Sequence, residues 1–148
     1  MISIRYARPE DIDGFSKLIQ DDLGRQPICF HFSLEQALAD AKGIITSGEG
    51  FGLIASDDSK KIGLWIGKLT RIPGATKSAI MDIITVAETP EAWKSLKEML
   101  IILAKLNDCG GILFSVSGRK EQVIERWAMR QGLEFFGYAA YISMQEVQ

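Results

Sequence analysis

The chain has 148 residues, of which 47% are hydrophobic and 24% charged, and a formal net charge of −2. That length and balance predict one globular domain over residues 1–148, with a single core of ordinary size. Lys and Arg are scattered and the balance is acidic, which excludes a basic field of the kind that draws in nucleic acid.

Ile2 to Ala7 reads as a first strand, alternating polar and apolar residues. Pro9-Glu10-Asp11 opens a helix: proline suits the first turn and two acids complement its positive end. Ile12, Phe15, Leu18 and Ile19 line one of its faces, and Asp21 to Phe32 forms a loop. Ser33 has the place of an N-cap, with Gln36 at the capping-box position. Leu34, Ala37, Leu38 and Ala41 give the second helix its apolar stripe, ending near Gly43 or Gly48. Phe51 to Ser56 and Ile62 to Leu69 are strands joined by the turn Asp57-Asp58-Ser59-Lys60. Pro73-Gly74 turns the chain into the strand Ala79 to Val86.

Thr89 is an N-cap with Pro90 at the first helical position, and the helix runs to Leu106. Ala92, Leu96, Met99, Leu103 and Leu106 form its expected core stripe. A strand Gly111 to Val116 follows, then a helix from Lys120 to Arg130 and a strand from Gly132 to Tyr138. The order β-α-α-β-β-β-α-β-α-β implies antiparallel hairpins in the middle and parallel crossovers later. The class is α/β (α+β): a mixed central sheet of six or seven strands with about four helices on both faces.

Cys29 and Cys109 share no metal or redox spacing, so two buried, reduced thiols are expected. The only histidine, His31, lies between Phe30 and Phe32; a partly buried ring near a loop is expected, and no metal site. The N-terminus lacks the basic start and apolar stretch of a signal peptide, and the longest apolar run, Met99 to Ala104, is too short for a bilayer. The expectation is a cytoplasmic chain with no membrane insertion.

The element order, together with Ile4-Arg5-Tyr6-Ala7-Arg8-Pro9-Glu10-Asp11-Ile12, resembles the GNAT family of N-acetyltransferases, whose opening often reads I-R-x-A-x-P-x-D. Ile62 to Gly67 looks like the family's third strand, and Trp127 to Gly137 like the end of its fourth helix and the next strand. The resemblance covers nearly the whole chain and implies an acyltransferase that moves an acyl group from acetyl-CoA to an amine. In the family, a Q/R-x-x-G-x-G/A loop after the fourth strand cradles the CoA pyrophosphate with bare backbone and a helix N-terminus. Here the corresponding segment is Val86-Ala87-Glu88-Thr89-Pro90-Glu91-Ala92-Trp93-Lys94-Ser95-Leu96. Glu91 stands at the arginine position, and Ala92, Lys94 and Leu96 stand at the glycine positions. Two acids and a proline disfavour an anion there, so weak acetyl-CoA binding is expected.

The resemblance implies a cofactor-binding set of Ile84, Thr85, Val86, Ala92, Trp93, Lys94 and Ser115, with the pantetheine arm adding to backbone between two diverging parallel strands. Lys94 could hold a phosphate from the side. The family's thiolate-protonating tyrosine falls at Ala128, which has no proton to give. Tyr138 and Tyr141 are the replacement acids within reach in sequence, Tyr138 preferred. Asp82, taken to share a strand face with Ile84 and Val86, is the candidate base.

Two functions follow. One is a divergent acyl-CoA-dependent N-acyltransferase acting on an unidentified small-molecule or protein amine. The other is a catalytically inactive GNAT-fold binding or assembly subunit, as in some virus-encoded relatives. Self-association is left open by the sequence.

Overall fold

The computed structural model describes residues 1–26, 30–114, 129–130, 132–133 and 144. Strand β1 (Ile2–Tyr6) leads into a 3-10 helix, Pro9–Phe15, that continues as α1 (Ser16–Leu23). The sequence predicts helix from Pro9 onward, and the tighter 3-10 winding has a local cause. Asp11, Asp13 and Gly14 are weak helix formers, and 3-10 turns are common at helix starts. Asp11 also turns back to accept the Arg8 N–H at 2.8 Å, which fixes the entry.

Helix α2 (Leu34–Ser47) starts where Ser33 accepts the Gln36 N–H at 3.1 Å, and ends at Gly48, whose φ of 73° an L side chain resists. The Gln36 side chain does not close the reciprocal box; it donates to Asp40 instead, at 2.7 Å. Strands β2 (Phe51–Asp57) and β3 (Lys60–Thr70) form a hairpin through Asp58 and Ser59. Strand β4 (Ala79–Ala87) precedes α3 (Pro90–Leu106) and β5 (Gly111–Leu113).

The α3 boundaries coincide with those read from Thr89-Pro90 and Leu106. Its C-terminus closes as a Schellman turn with Asp108 in the left-handed region (φ 50°). There the Cys109 N–H reaches the Ala104 carbonyl at 2.9 Å and the Asp108 N–H reaches Lys105 at 3.3 Å.

The described strands form one mixed sheet in the order β1-β2-β3-β4-β5. The first three pairings are antiparallel and β4–β5 is parallel. One face packs Ile54, Leu64, Ile66 and Val86 against Ile12, Phe15, Ile19 and Ala41, from the 3-10 helix, α1 and α2. The other packs Leu53, Ala55, Trp65 and Ile80 against Ala92, Leu96, Leu100 and Ala104 of α3. Helices therefore cover both faces, as the strand order implies.

The α3 stripe differs from the one read in the sequence. Its buried line is Ala92, Leu96, Leu100 and Ala104, while Met99 and Leu103 are half-buried and Leu106 is 76% exposed. The contact follows a spacing-of-four ridge, and Leu106 lies beyond its last member. His31 also departs from expectation: its side chain is exposed, on a residue held at φ 52°. Cys109 is a half-buried free thiol, and Cys29 lies outside the described residues. The helix Lys120 to Arg130 and the strand Gly132 to Tyr138 fall largely outside them too.

Candidate active site between the parallel strands

Strand β4 pairs with β5 at Ala79–Gly111, Ile80–Ile112 and Met81–Leu113. Phe114 is already outside the strand, whereas β4 continues to Ala87. Past Met81 the described part of β5 no longer follows β4. The expected pair of parallel, adjacent strands is present over three residue pairs, and residues 115–128 lie outside the described residues.

Just past the last of these pairs β4 carries a β-bulge. On the β3 side, Ile66 pairs with Ile84 and Gly67 pairs with Asp82, so Ile83 is the extra residue. Gly67 is required there. A Cβ would strike the Met81 carbonyl oxygen and the Trp65 ring, which lies over the glycine. The bulge resets the alternation of β4. Ile84 and Val86 belong to the core under α1 and α2, whereas Asp82 keeps step with Ile80 on the α3 side. This corrects the expectation that Asp82 shares a face with Ile84 and Val86. A period of two cannot persist across an inserted residue.

Asp82 is 6% exposed and accepts a hydrogen bond from Thr85 Oγ1 at 3.2 Å. A carboxylate this deep, held by a neighbouring hydroxyl, is positioned rather than merely solvated. Thr85 is half-buried beside it.

The N-terminus of α3 lies past the end of β4. Thr89 Oγ1 accepts the Ala92 N–H at 3.1 Å, and Pro90 has no N–H. Glu91 therefore keeps the one first-turn N–H that neither feature removes. The Glu88 N–H is committed to the Ile62 carbonyl at 2.8 Å, and its carboxylate pairs with Lys60 at 3.2 Å. Ala92 itself is fully buried, facing Gly63 across the core. Lys94 is exposed on the outer side.

Trp93 connects this helix start to the segment after β5. Its ring centroid is 5.6 Å from that of Phe114, and Lys97 Nζ lies 5.2 Å from the Trp93 centroid. Sequence reasoning missed this stack, though Trp93 and Lys97 have the i, i+4 spacing that places them on one helix side. Of the remaining site residues read from sequence, Ser115 and Tyr138 lie outside the described residues, as do Ala128 and Tyr141. Among the described residues no cluster of three or more His, Cys, Asp or Glu could hold a metal ion, and no helix is long and apolar enough to cross a membrane.

No family model matches the sequence, and no curated protein matches it significantly. The fold is nevertheless shared with solved acetyltransferases. Ribosomal-protein-alanine N-acetyltransferase from Brucella melitensis superimposes with a TM-score of 0.68 at 13% identity, covering 95% of this chain and 96% of that one. The aminoglycoside 6'-N-acetyltransferase of Acinetobacter baumannii gives 0.69 at 14%, covering 96% and 97%. A Clostridium acetobutylicum protein solved with acetyl-CoA gives 0.68 at 14%, covering 99% and 98%. The chain has the GNAT acetyltransferase fold, with its mixed sheet and helices on both faces.

Proposed function

We propose that the protein is an acyl-CoA-dependent N-acyltransferase acting on an amine. The observation that carries this is the buried Asp82 at a β-bulge, one residue past the last described pair of parallel β4 and β5. In this reading the β4 backbone beyond the bulge would carry an extended thioester arm, a contact that needs no special side chain. In support, the solved proteins of this fold are described as acetylating amines: a ribosomal-protein alanine and aminoglycosides.

In the proposed reaction the amine nitrogen attacks the thioester carbonyl carbon; the C–N bond forms and the C–S bond breaks. Asp82 takes the proton from the amine, and Thr85 holds the carboxylate in place. Tyr138 supplies a proton to the departing thiolate, because Ala128 stands where the family has its tyrosine. Ile84, Thr85 and Val86, together with Ser115 as the family resemblance implies, would flank the pantetheine arm. Trp93 and Lys94 would meet the nucleotide end.

The pyrophosphate end fits less well. Thr89 and Pro90 remove two first-turn donors, and Glu91 adds negative charge. That observation favours a second reading, a GNAT-fold subunit that binds or assembles without catalysis. The test is acetyl transfer from labelled acetyl-CoA to a panel of aminoglycosides and alanine-terminated peptides. Under the first reading Asp82→Asn lowers turnover by about 10²-fold or more, the usual worth of a positioned base. Tyr138→Phe lowers it less. Unchanged turnover in Asp82→Asn removes the assignment of the base. Absence of transfer to every acceptor, with the protein recovered bound to another macromolecule, supports the second reading.

A further inference from the structure

The outer side of α3 presents apolar surface that the described residues leave uncovered. Ile101, Ile102 and Leu106 are 39%, 51% and 76% exposed, opposite the buried line of Leu96, Leu100 and Ala104. At 100° per residue, Ile101 and Ile102 sit on either side of a line through Glu98 and Lys105. Both charged residues are exposed, and neither takes part in an ion pair among the described residues. Opposite charges two turns apart, with two isoleucines midway between them, make a stripe complementary to its own reverse.

We propose that this face joins two copies of the chain, α3 packing antiparallel on α3 about a twofold axis between Ile101 and Ile102. That axis sets Ile101 of one copy against Ile102 of the other. It also sets Glu98 against Lys105, and symmetry repeats the pair on the other side. A parallel arrangement would oppose Glu98 to Glu98 and Lys105 to Lys105, so the charges select the antiparallel one. Asp82 lies on the sheet side of α3, away from this face, while Lys94 borders it one turn before Glu98. One helix face is a small interface, which puts the dimer in the weak class, with a dissociation constant of about 10–100 µM.

Sedimentation velocity on the full chain, from about 5 to 500 µM, tests the proposal across that range. The expected result is a concentration-dependent monomer–dimer equilibrium. Ile102→Glu should abolish it, with circular dichroism showing the fold intact. Glu98→Lys should weaken it at least about tenfold, by facing Lys105 with a like charge. The double variant Glu98→Lys with Lys105→Glu should restore it, which a merely structural effect of either substitution would not. A wild-type chain that stays monomeric throughout overturns the proposal. So does a dimer in which Glu98→Lys and the double variant associate alike.

Discussion

Asp11 receives four donors on two oxygens. Arg5 binds it through both terminal nitrogens at 2.8 Å, Lys61 reaches it at 2.7 Å, and the Arg8 N–H at 2.8 Å. The Arg5 guanidinium holds its carboxyl well below the usual carboxylate range; burial opposes this, and Lys61 and the Arg8 N–H add to it. A carboxyl with a depressed folded pKa stabilises the protein fully above its unfolded value of about 3.9, and the contribution is lost as pH falls from there toward the folded value. Asp11→Asn should cost about 1–3 kcal/mol at pH 7, less than breaking a fully buried pair because Arg5 and Lys61 are themselves partly exposed. In denaturant titrations the gap between wild type and variant should narrow steadily below about pH 4. A gap that is constant from pH 7 to pH 2 would assign the loss to packing instead. At Gly67 the argument is steric: a methyl group meets the Met81 carbonyl and the Trp65 ring. Gly67→Ala should cost about 1–3 kcal/mol in the same titration, the usual range for overpacking. A neutral result would mean that the bulge relaxes without strain.

Among the elements, α3 and β4 show what a single sequence discloses and what it hides. Both ends of α3 were legible because their signals are local: Thr89 and Pro90 at one end, Asn107 to Gly111 at the other. Its buried face was misjudged by about one ridge, since spacings of three and four read equally well until the sheet chooses between them. The bulge in β4 left no local trace. Ile80, Asp82, Ile84 and Val86 alternate without a break in sequence, and the interruption is imposed from the next strand by Gly67 beneath Trp65. Hence the sequence alone puts Asp82 on the wrong face of β4. The poverty of the α3 start as an anion site was legible from Pro90 and Glu91, and the Thr89–Ala92 hydrogen bond adds to it. CoA should therefore bind with a dissociation constant weaker than about 10 µM, some −7 kcal/mol or less favourable. Replacing an acid by a base beside the one remaining first-turn N–H should strengthen binding: Glu91→Arg by about 3–10-fold in calorimetry. Submicromolar affinity in the wild type, or no response to Glu91→Arg, would show that the pyrophosphate lies elsewhere.

At the scale of the whole molecule, what persists is the pattern of elements rather than the motif. The fold is shared with acetyltransferases of 13–14% identity, whereas no family model matches the sequence. This is physically reasonable. A mixed sheet with helices on both faces needs apolar periodicity and turn chemistry, which many sequences supply, while a phosphate cradle needs particular glycines. The backbone contact proposed for a thioester arm along β4 depends on the first requirement alone. A ligand held mainly by that contact should bind the folded chain weakly but measurably. Stabilisation by a ligand that binds only the folded state is RT ln(1 + [L]/Kd). At 1 mM acetyl-CoA, dissociation constants of about 10–100 µM correspond to roughly 1–3 kcal/mol and to a rise in Tm of about 3–10 °C for a chain of this size. Acetyl-CoA should give this shift, and desulfo-CoA nearly the same, because the acetyl group and sulfur contribute little area. Adenosine 3',5'-bisphosphate should give much less, because it lacks the pantetheine arm. If the bisphosphate stabilises the chain as well as acetyl-CoA does, the strand contact is not what holds the ligand. A chain whose Tm moves with none of the three has kept the fold without the thioester site, and Asp82 then needs another explanation.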